Sequence, residues 1–345
     1  MAAVQTQNQT QDPGLAPKST SSWWFRHEER IAPFLYISPF FILFTIFGVF
    51  TVAFTAWVSL HDWHIFDTAH GGGTFIGLDN YARLFEDARF WRSATNTFSI
   101  LLMATIPQMF LALILAELLN DRRLRGPHIF RSGLLIPNIT SVVAITIVFQ
   151  SLFGRHYGLI NVFLDFLGFE MVNWTASRIG SHLAIATMVN WQWTGYNTLI
   201  FLAAMQSIPK DLVEAAQVDG AGRIKRWWKI TVPLLRPTVL FATILSVIGN
   251  FQLFAQPLLF APGVGSLGGN DQQFLTILLY LYNMAFRQFQ FGYASAIAWM
   301  LVLITAVAAL IVYAGVGILN RRENRAALGA KATRRRASAG QEVGA

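Results

Sequence analysis

The 345-residue sequence has no cysteine and little charge, with acidic and basic residues together making up 13% of it. The first absence excludes disulfides, thiolate metal sites and cysteine nucleophiles, though it says little about compartment. The second is more telling. A soluble domain is about a quarter charged, whereas 54% of this chain is hydrophobic and the apolar residues lie in long runs. That is the pattern of an integral membrane protein. Enzyme motifs are missing too. No GxxxxGK[ST] segment is present, so the chain carries no P-loop of its own. His27-Glu28 opens like a zinc-protease pair, but no second histidine follows at helical spacing. Gly263, Gly265 and Gly268 match GxGxxG by letter, yet no strand precedes them, and they read as a flexible turn. We expect no catalytic residue, no metal site and no cofactor bound by this chain.

What is present is a series of apolar segments, each near the roughly 20 residues that a helix needs to cross a bilayer. Six stand out, at about 34–60, 95–119, 130–153, 181–205, 237–260 and 291–319. A shorter run, FLTILLYLYNMAF at 274–286, has polar flanks and is expected to form an external interfacial helix. The expected fold is therefore an all-α integral membrane protein with six transmembrane helices. The expected division is a polar cytoplasmic tail and interfacial anchor (1–33), a membrane domain (34–320) and a basic cytoplasmic tail (321–345). The first 22 residues are polar and read as a disordered tail rather than a signal peptide. Trp23, Trp24, Arg26 and Arg30 suit an anchor at the interface.

The net charge is +8, and its placement favours membrane orientation over nucleic-acid binding. Arg122, Arg123, Arg125 and Arg131 fall in the second loop. Lys210, Arg223, Lys225, Arg226, Lys229 and Arg236 fall in the fourth, and Arg321, Arg322, Arg325, Lys331 and Arg334 to Arg336 in the tail. The positive-inside tendency then places both termini and these loops in the cytoplasm of a multi-pass cell-membrane protein. The spans hold almost no ionisable group; Glu117 and His182 lie near span ends. A proton- or ion-coupled pump usually keeps such groups mid-membrane, which argues against a single-component secondary sugar transporter.

One polar segment breaks the apolar pattern: EAAQVDGAGRIKRWWKITVPLLRP, Glu214–Pro237. Pro209 suits a first helical position, and Asp211 and Glu214 suit the opening turns of a helix. Leu212, Ala215 and Ala216 form a small apolar face, and Gly220 can end the helix in a left-handed conformation. A second short helix, with Ile224, Trp227 and Trp228 on one side and bases on the other, should end at Pro233 and Pro237. By composition the pair could rest on lipid as a basic amphipathic element, or dock on a protein.

The spacing EAAxxDGAxxxxxWxxIxxP resembles the EAA loop of permease subunits in binding-protein-dependent ABC importers. The resemblance implies that Glu214, Ala215, Ala216, Asp219, Gly220, Ile230 and Pro233 form a coupling loop that docks on a separate ATPase subunit. ATP and Mg would be used by that partner and not by this chain. FIGLDNYARLFEDARFWRSATNTF (75–98), Pro137 and GYASAIAW (292–299) are similar to the carbohydrate-uptake branch, so the likeness covers about residues 34–320. It implies a second homologous permease subunit, an ATPase dimer, an external substrate-binding protein and a sugar substrate as partners, with no nucleic acid.

A sugar asks for neutral hydrogen-bond partners and aromatic faces. In the fourth span Asn190, Trp193, Thr194 and Asn197 share a helical face, with Tyr196 adjacent. In the fifth, Ser246, Asn250 and Leu253 do so, with Gln252 and Gln256 nearby. Such residues also serve as glue between membrane helices. Ser246 and Asn250 match polar positions of the sugar site in the maltose-type subunit. NFQLFAQPLLF with the run that follows Gly268 is most similar to permeases for cellobiose, lactose and related oligosaccharides. Glycerol-phosphate permeases share the architecture, but a phosphodiester would ask for a cationic site, and no mid-span Arg or Lys is present.

Overall fold

The computed structural model describes residues 23–64, 73–121, 123–260 and 267–315, with side chains from Ile31 onward. The expected tails at residues 1–22 and beyond 315, and the side chains of Trp23, Trp24, Arg26 and Arg30, lie outside the described residues. Helix dominates. The only strands among the described residues are a two-residue antiparallel pair, β1 (His61–Asp62) with β2 (Thr74–Phe75).

The chain divides into two units, residues 1–55 and 56–345. In the first, α1 (Trp23–Phe44) passes through a π turn (Thr45–Val49) towards α2 (Phe50–Ser59). The most apolar stretch of Ile31–Ser59 has no buried residue. Phe40, Phe41, Phe44 and Phe47 all stand exposed, as side chains do when the surrounding solvent is lipid.

The second unit is built on three long helices: α4 (Ala88–Leu119), α8 (Arg178–Gln206) and α11 (Val232–Phe251). α4 packs along α8, and α11 lies against both. Their shared core runs from Ile100, Ala104, Ile185 and Met188 to Met109, Leu113, Phe201 and Leu235. α3 (Asp79–Glu86) precedes α4, and α7 (Leu159–Phe166) precedes α8. α5 (Pro127–Ile139) presses against α8 so closely that a Cβ on Gly195 would lie 1.8 Å from the Leu134 carbonyl oxygen. Only glycine allows that approach.

Four described helices are long and apolar enough to cross a membrane: Ile31–Ser59, Ala88–Leu119, Arg223–Phe251 and Phe291–Gly315, the last here called α14. The expected third span is not one helix. α5 and α6 (Val142–Leu152) meet at a 93° bend, and counting them as one broken span makes five. Pro137 removes a backbone donor just before the break, and Thr140 is extended. α8 reaches 29 residues, about 43 Å of helix. It falls short on composition alone because its middle turns carry the polar residues of the candidate site.

Two further expectations are corrected, and a third is sharpened. The prolines do not close the second helix of the motif. α10 (Arg223–Arg226) runs through a π turn (Trp227–Thr231) directly into α11. The Val232 N–H reaches back to the Trp227 carbonyl, and this widened turn displaces the carbonyl that the Pro233 ring would otherwise strike. The fifth span stops at Phe251 and resumes as α12 (Ala255–Phe260), which packs on α6. The short helix expected outside the bilayer, α13 (Ile277–Tyr282), is packed into protein rather than left exposed. Ile277, Leu279 and Tyr280 are buried in a core with Leu84, Phe90, Phe251, Tyr293 and Ile297.

Candidate functional site

Between the ends of the long helices lies a cavity of about 490 Å³, within the ~300–1,000 Å³ range of small-molecule sites. α4 contributes Gln108. α8 contributes Val189, Gln192, Trp193, Tyr196 and Asn197. α11 contributes Ser246 and Asn250, the break after it Gln252 and Leu253, and α12 Gln256. No charged side chain among the described residues lines it.

Six of the eight expected substrate residues line this space: Trp193, Tyr196, Asn197, Ser246, Asn250 and Leu253. Asn190 and Thr194 do not, although Asn190 Oδ1 and Thr194 Oγ1 are buried without a hydrogen-bond partner among the described residues. The face of α8 that borders the cavity is 189, 192, 193, 196 and 197, so Trp193 and Asn197 of the expected face remain and its centre is shifted towards 192 and 196. Gln192 was missed for that reason.

The polar groups here are partly paired. Asn250 Nδ2 donates to the Ser246 carbonyl at 2.8 Å and to Thr105 Oγ1 at 3.3 Å. Gln256 Nε2 donates to Gln192 Oε1 at 3.2 Å. Asn250 Oδ1 and Gln108 Oε1 are buried with no partner. A buried amide oxygen without a donor costs about 1–3 kcal/mol, so either oxygen would gain from a hydroxyl once its side chain turned it into the cavity. Trp193 and Tyr196 are edge to face at 5.9 Å and remain 42% and 40% exposed. Gln108 was missed because it stands alone in an apolar run; its neighbour Pro107 was the available hint.

The EAA motif forms a separate structure. Glu214, Ala215 and Ala216 lie on α9 (Lys210–Val218), with Pro209 as its N-cap rather than its first turn. Asp219 is the C-cap and Gly220 follows at φ +75°. The Gly220 N–H bonds the Gln217 carbonyl and the Ala221 N–H the Ala216 carbonyl, the paired bonds of a glycine-terminated helix. No residue of α9 is buried. Leu212, Val218 and Ile224 stand exposed. Ile230 sits in the π turn, and Pro233 in the first turn of α11.

The GLDNY and GYASAIAW segments meet at the Asp87 end of α4. Asn80 donates to the Ser59 and His61 carbonyls at 2.9 and 3.0 Å, and the Tyr81 and Ser59 hydroxyls are 2.9 Å apart. A Cβ on Gly292 would lie 2.0 Å from the His61 carbonyl oxygen. The Arg83 guanidinium sits 4.2 Å above the Tyr293 ring. Asp87 accepts from the Tyr280 and Tyr293 hydroxyls and from the Arg89 N–H. Asn96 donates to the Gln272 and Leu275 carbonyls, and Thr97 accepts from the Ile277 N–H. His182 bonds Ser99 and the Gln273 carbonyl, so it holds a loop in place.

Known proteins extend this picture. A lactose transport system permease protein from Rhizobium radiobacter is 35% identical over 79% of this chain and 90% of its own length. An arabinooligosaccharides transport system permease protein from Halalkalibacterium halodurans is 30% identical over 84% and 89%. A trehalose/maltose transport system permease protein from Thermococcus litoralis is 31% identical over 86% and 97%. The fold matches a chain of a crystallised bacterial ABC transporter involved in the import of alginate, with a TM-score of 0.71 at 20% identity over 85% of this chain and 98% of that one. Residues 73–325 match the model of the binding-protein-dependent transport system inner membrane component. With its apolar helices this makes the protein a multi-pass membrane protein, and the chain belongs to the family of inner membrane components of binding-protein-dependent transport systems.

Proposed function

We propose that this chain is one of two permease subunits of an ABC importer and carries a di- or oligosaccharide into the cytoplasm. The observation that carries the sugar reading is the cavity. It offers two aromatic faces, the neutral amides Gln108, Gln192, Asn197 and Asn250, and no charged side chain among the described residues. That lining suits a neutral polyol and not a glycerol-phosphate-type anion, which would ask for Arg or Lys. The names of the relatives range over lactose, arabino-oligosaccharides and trehalose/maltose; within that range a cellobiose- or cello-oligosaccharide-like substrate is our specific proposal. Asn190 and Thr194 belong to the packing beside the cavity in this reading, and the other six residues to the sugar contact.

The subunit itself performs no chemistry. α9 is nine residues long and wholly unburied, and such a short helix is marginal alone in water. Its exposed apolar face and tight glycine ending suit insertion into a groove on an ATPase subunit. Two ATPase subunits would use ATP and Mg, and an external binding protein would deliver the sugar. The bases of the loops support a cytoplasmic side for this end of the molecule, both termini and the polar and basic tails.

Tagged chain co-expressed with its partners should bring down an ATPase and a second permease, and ATP hydrolysis should rise with sugar-loaded binding protein. A chain that purifies alone and supports uptake driven by an ion gradient would point to a secondary transporter and sink this proposal.

A further inference from the structure

Glu117 and Asp121 stand four residues apart at the end of α4, where like charges repel and where negative charge opposes the helix dipole. Arg223 stands at the start of α10, directly after its N-cap Gly222, where positive charge is equally misplaced. Each charge is wrong for its own helix and right for the other. The two ends meet. Arg223 Nε lies 3.5 Å from Glu117 Oε1, and its Nη1 donates to Asp121 Oδ2 at 2.9 Å. One guanidinium thus answers two carboxylates in a forked contact that an ammonium cannot reproduce. Beside it Trp227 packs against the core of Leu113, Ala116, Leu119 and Met205.

The two helices joined here both border the cavity. α4 carries Gln108, and the helix that starts at Arg223 continues to Ser246 and Asn250. They touch again at the cavity, where Asn250 bonds Thr105. We propose that Arg223 is a positioning residue. With Glu117 and Asp121 it forms a permanent clasp that ties the motif loop to the end of α4. Displacement of the loop then moves α4 and α11 as one body and reaches the cavity from two walls. This role rests on the reading that the loop docks on an ATPase.

The absence of native cysteine allows a direct test. In the complete importer reconstituted in liposomes, a Glu117→Cys, Arg223→Cys double variant should keep its ATPase on co-purification. When reduced, it should move at least fivefold less sugar per ATP hydrolysed. Bridging the two thiols with a short bifunctional reagent should restore that ratio to within twofold of wild type. Independently, Arg223→Glu and Glu117→Arg should each uncouple, and the two together should recover. A bridge that abolishes uptake would overturn the clasp, because the contact would then have to open. Failure to cross-link, unchanged coupling in the reduced variant, or loss of the ATPase from Arg223→Glu would overturn it too. Wild-type uptake that runs without ATP would instead overturn the docking reading, and this role with it.

Discussion

The two ends of α4 are built on opposite plans. At the Asp87 end polar side chains tie several parts of the chain together. Asn80, Asp87, Asn96 and Thr97 pin the segments at Ser59, at Gln272–Ile277 and at Tyr293, and Gly292 lets backbones touch. At the Glu117 end Arg223 supplies the ion pair, Trp227 packs beside it, and no residue of the neighbouring α9 is buried. A hydrogen-bonded knot resists motion; a clasp with an unburied helix beside it permits the loop to be moved by something else. The cavity lies between the fixed end and the free one.

The largest expected effect comes from breaking the fixed end. Gly292→Ala drives a Cβ into the His61 carbonyl, and we expect a loss of about 3 kcal/mol or more, read as poor yield and a lowered Tm in detergent. A normal Tm would show that the knot yields and would erase the contrast. The free end should respond in function instead. Gly220→Pro cannot adopt φ +75°, and should abolish ATP-driven uptake while the protein stays folded in the membrane. Gly220→Ala meets no neighbour, pays only the left-handed strain of about 1–2 kcal/mol, and should retain part of the transport. Equal behaviour of the two would remove the loop from the coupling path.

Between the ends, Asn250→Ala removes an amide that borders the cavity and the bond to Thr105. Loss of one sugar hydrogen bond, about 0.5–1.5 kcal/mol, should raise the apparent KM for uptake up to about tenfold, with ATPase co-purification unchanged. An unaltered KM would leave Asn250 as glue between α4 and α11. The smallest effect is titration at Asp87. Burial would raise its carboxyl, but hydrogen bonds from Tyr280, Tyr293 and the Arg89 and Phe90 backbone hold it below the ordinary carboxylate range. A lowered folded value means that its stabilisation is fully present above pH ~4 and fades as pH falls through the folded value. The Tm advantage of wild type over Asp87→Asn should therefore shrink only below pH ~4; an advantage constant to lower pH would remove Asp87 from the acid response.

Much of this was legible in the sequence. Long apolar runs gave the membrane class, Gly220 gave the helix ending, and Ser246 with Asn250 gave one wall of the cavity. The rest depended on quantities that a linear pattern does not carry. A slightly different facing of α8 replaced Asn190 and Thr194 by Val189 and Gln192 while Trp193 and Asn197 stayed at the cavity. The 93° bend after Pro137 and the burial of α13 reflect tertiary packing that apolar runs do not encode. Pro233 and Pro237 read as stops, because the π turn that accommodates Pro233 has no letter of its own. Arg223 was visible only as one base among several, since its acidic partners lie about a hundred positions earlier.

That π turn also sets an angular phase. It holds the helix from Arg223 to Phe251 at a winding different from a plain α-helix, whose residues step by about 100°. The side of the helix that meets Glu117 and the side that meets Gln108 are thereby held in register. Deleting one residue within Trp227–Thr231 would turn one end by about a quarter of a revolution while every side chain outside it was kept. The distance from clasp to cavity is thus counted in residues as strictly as a reading frame.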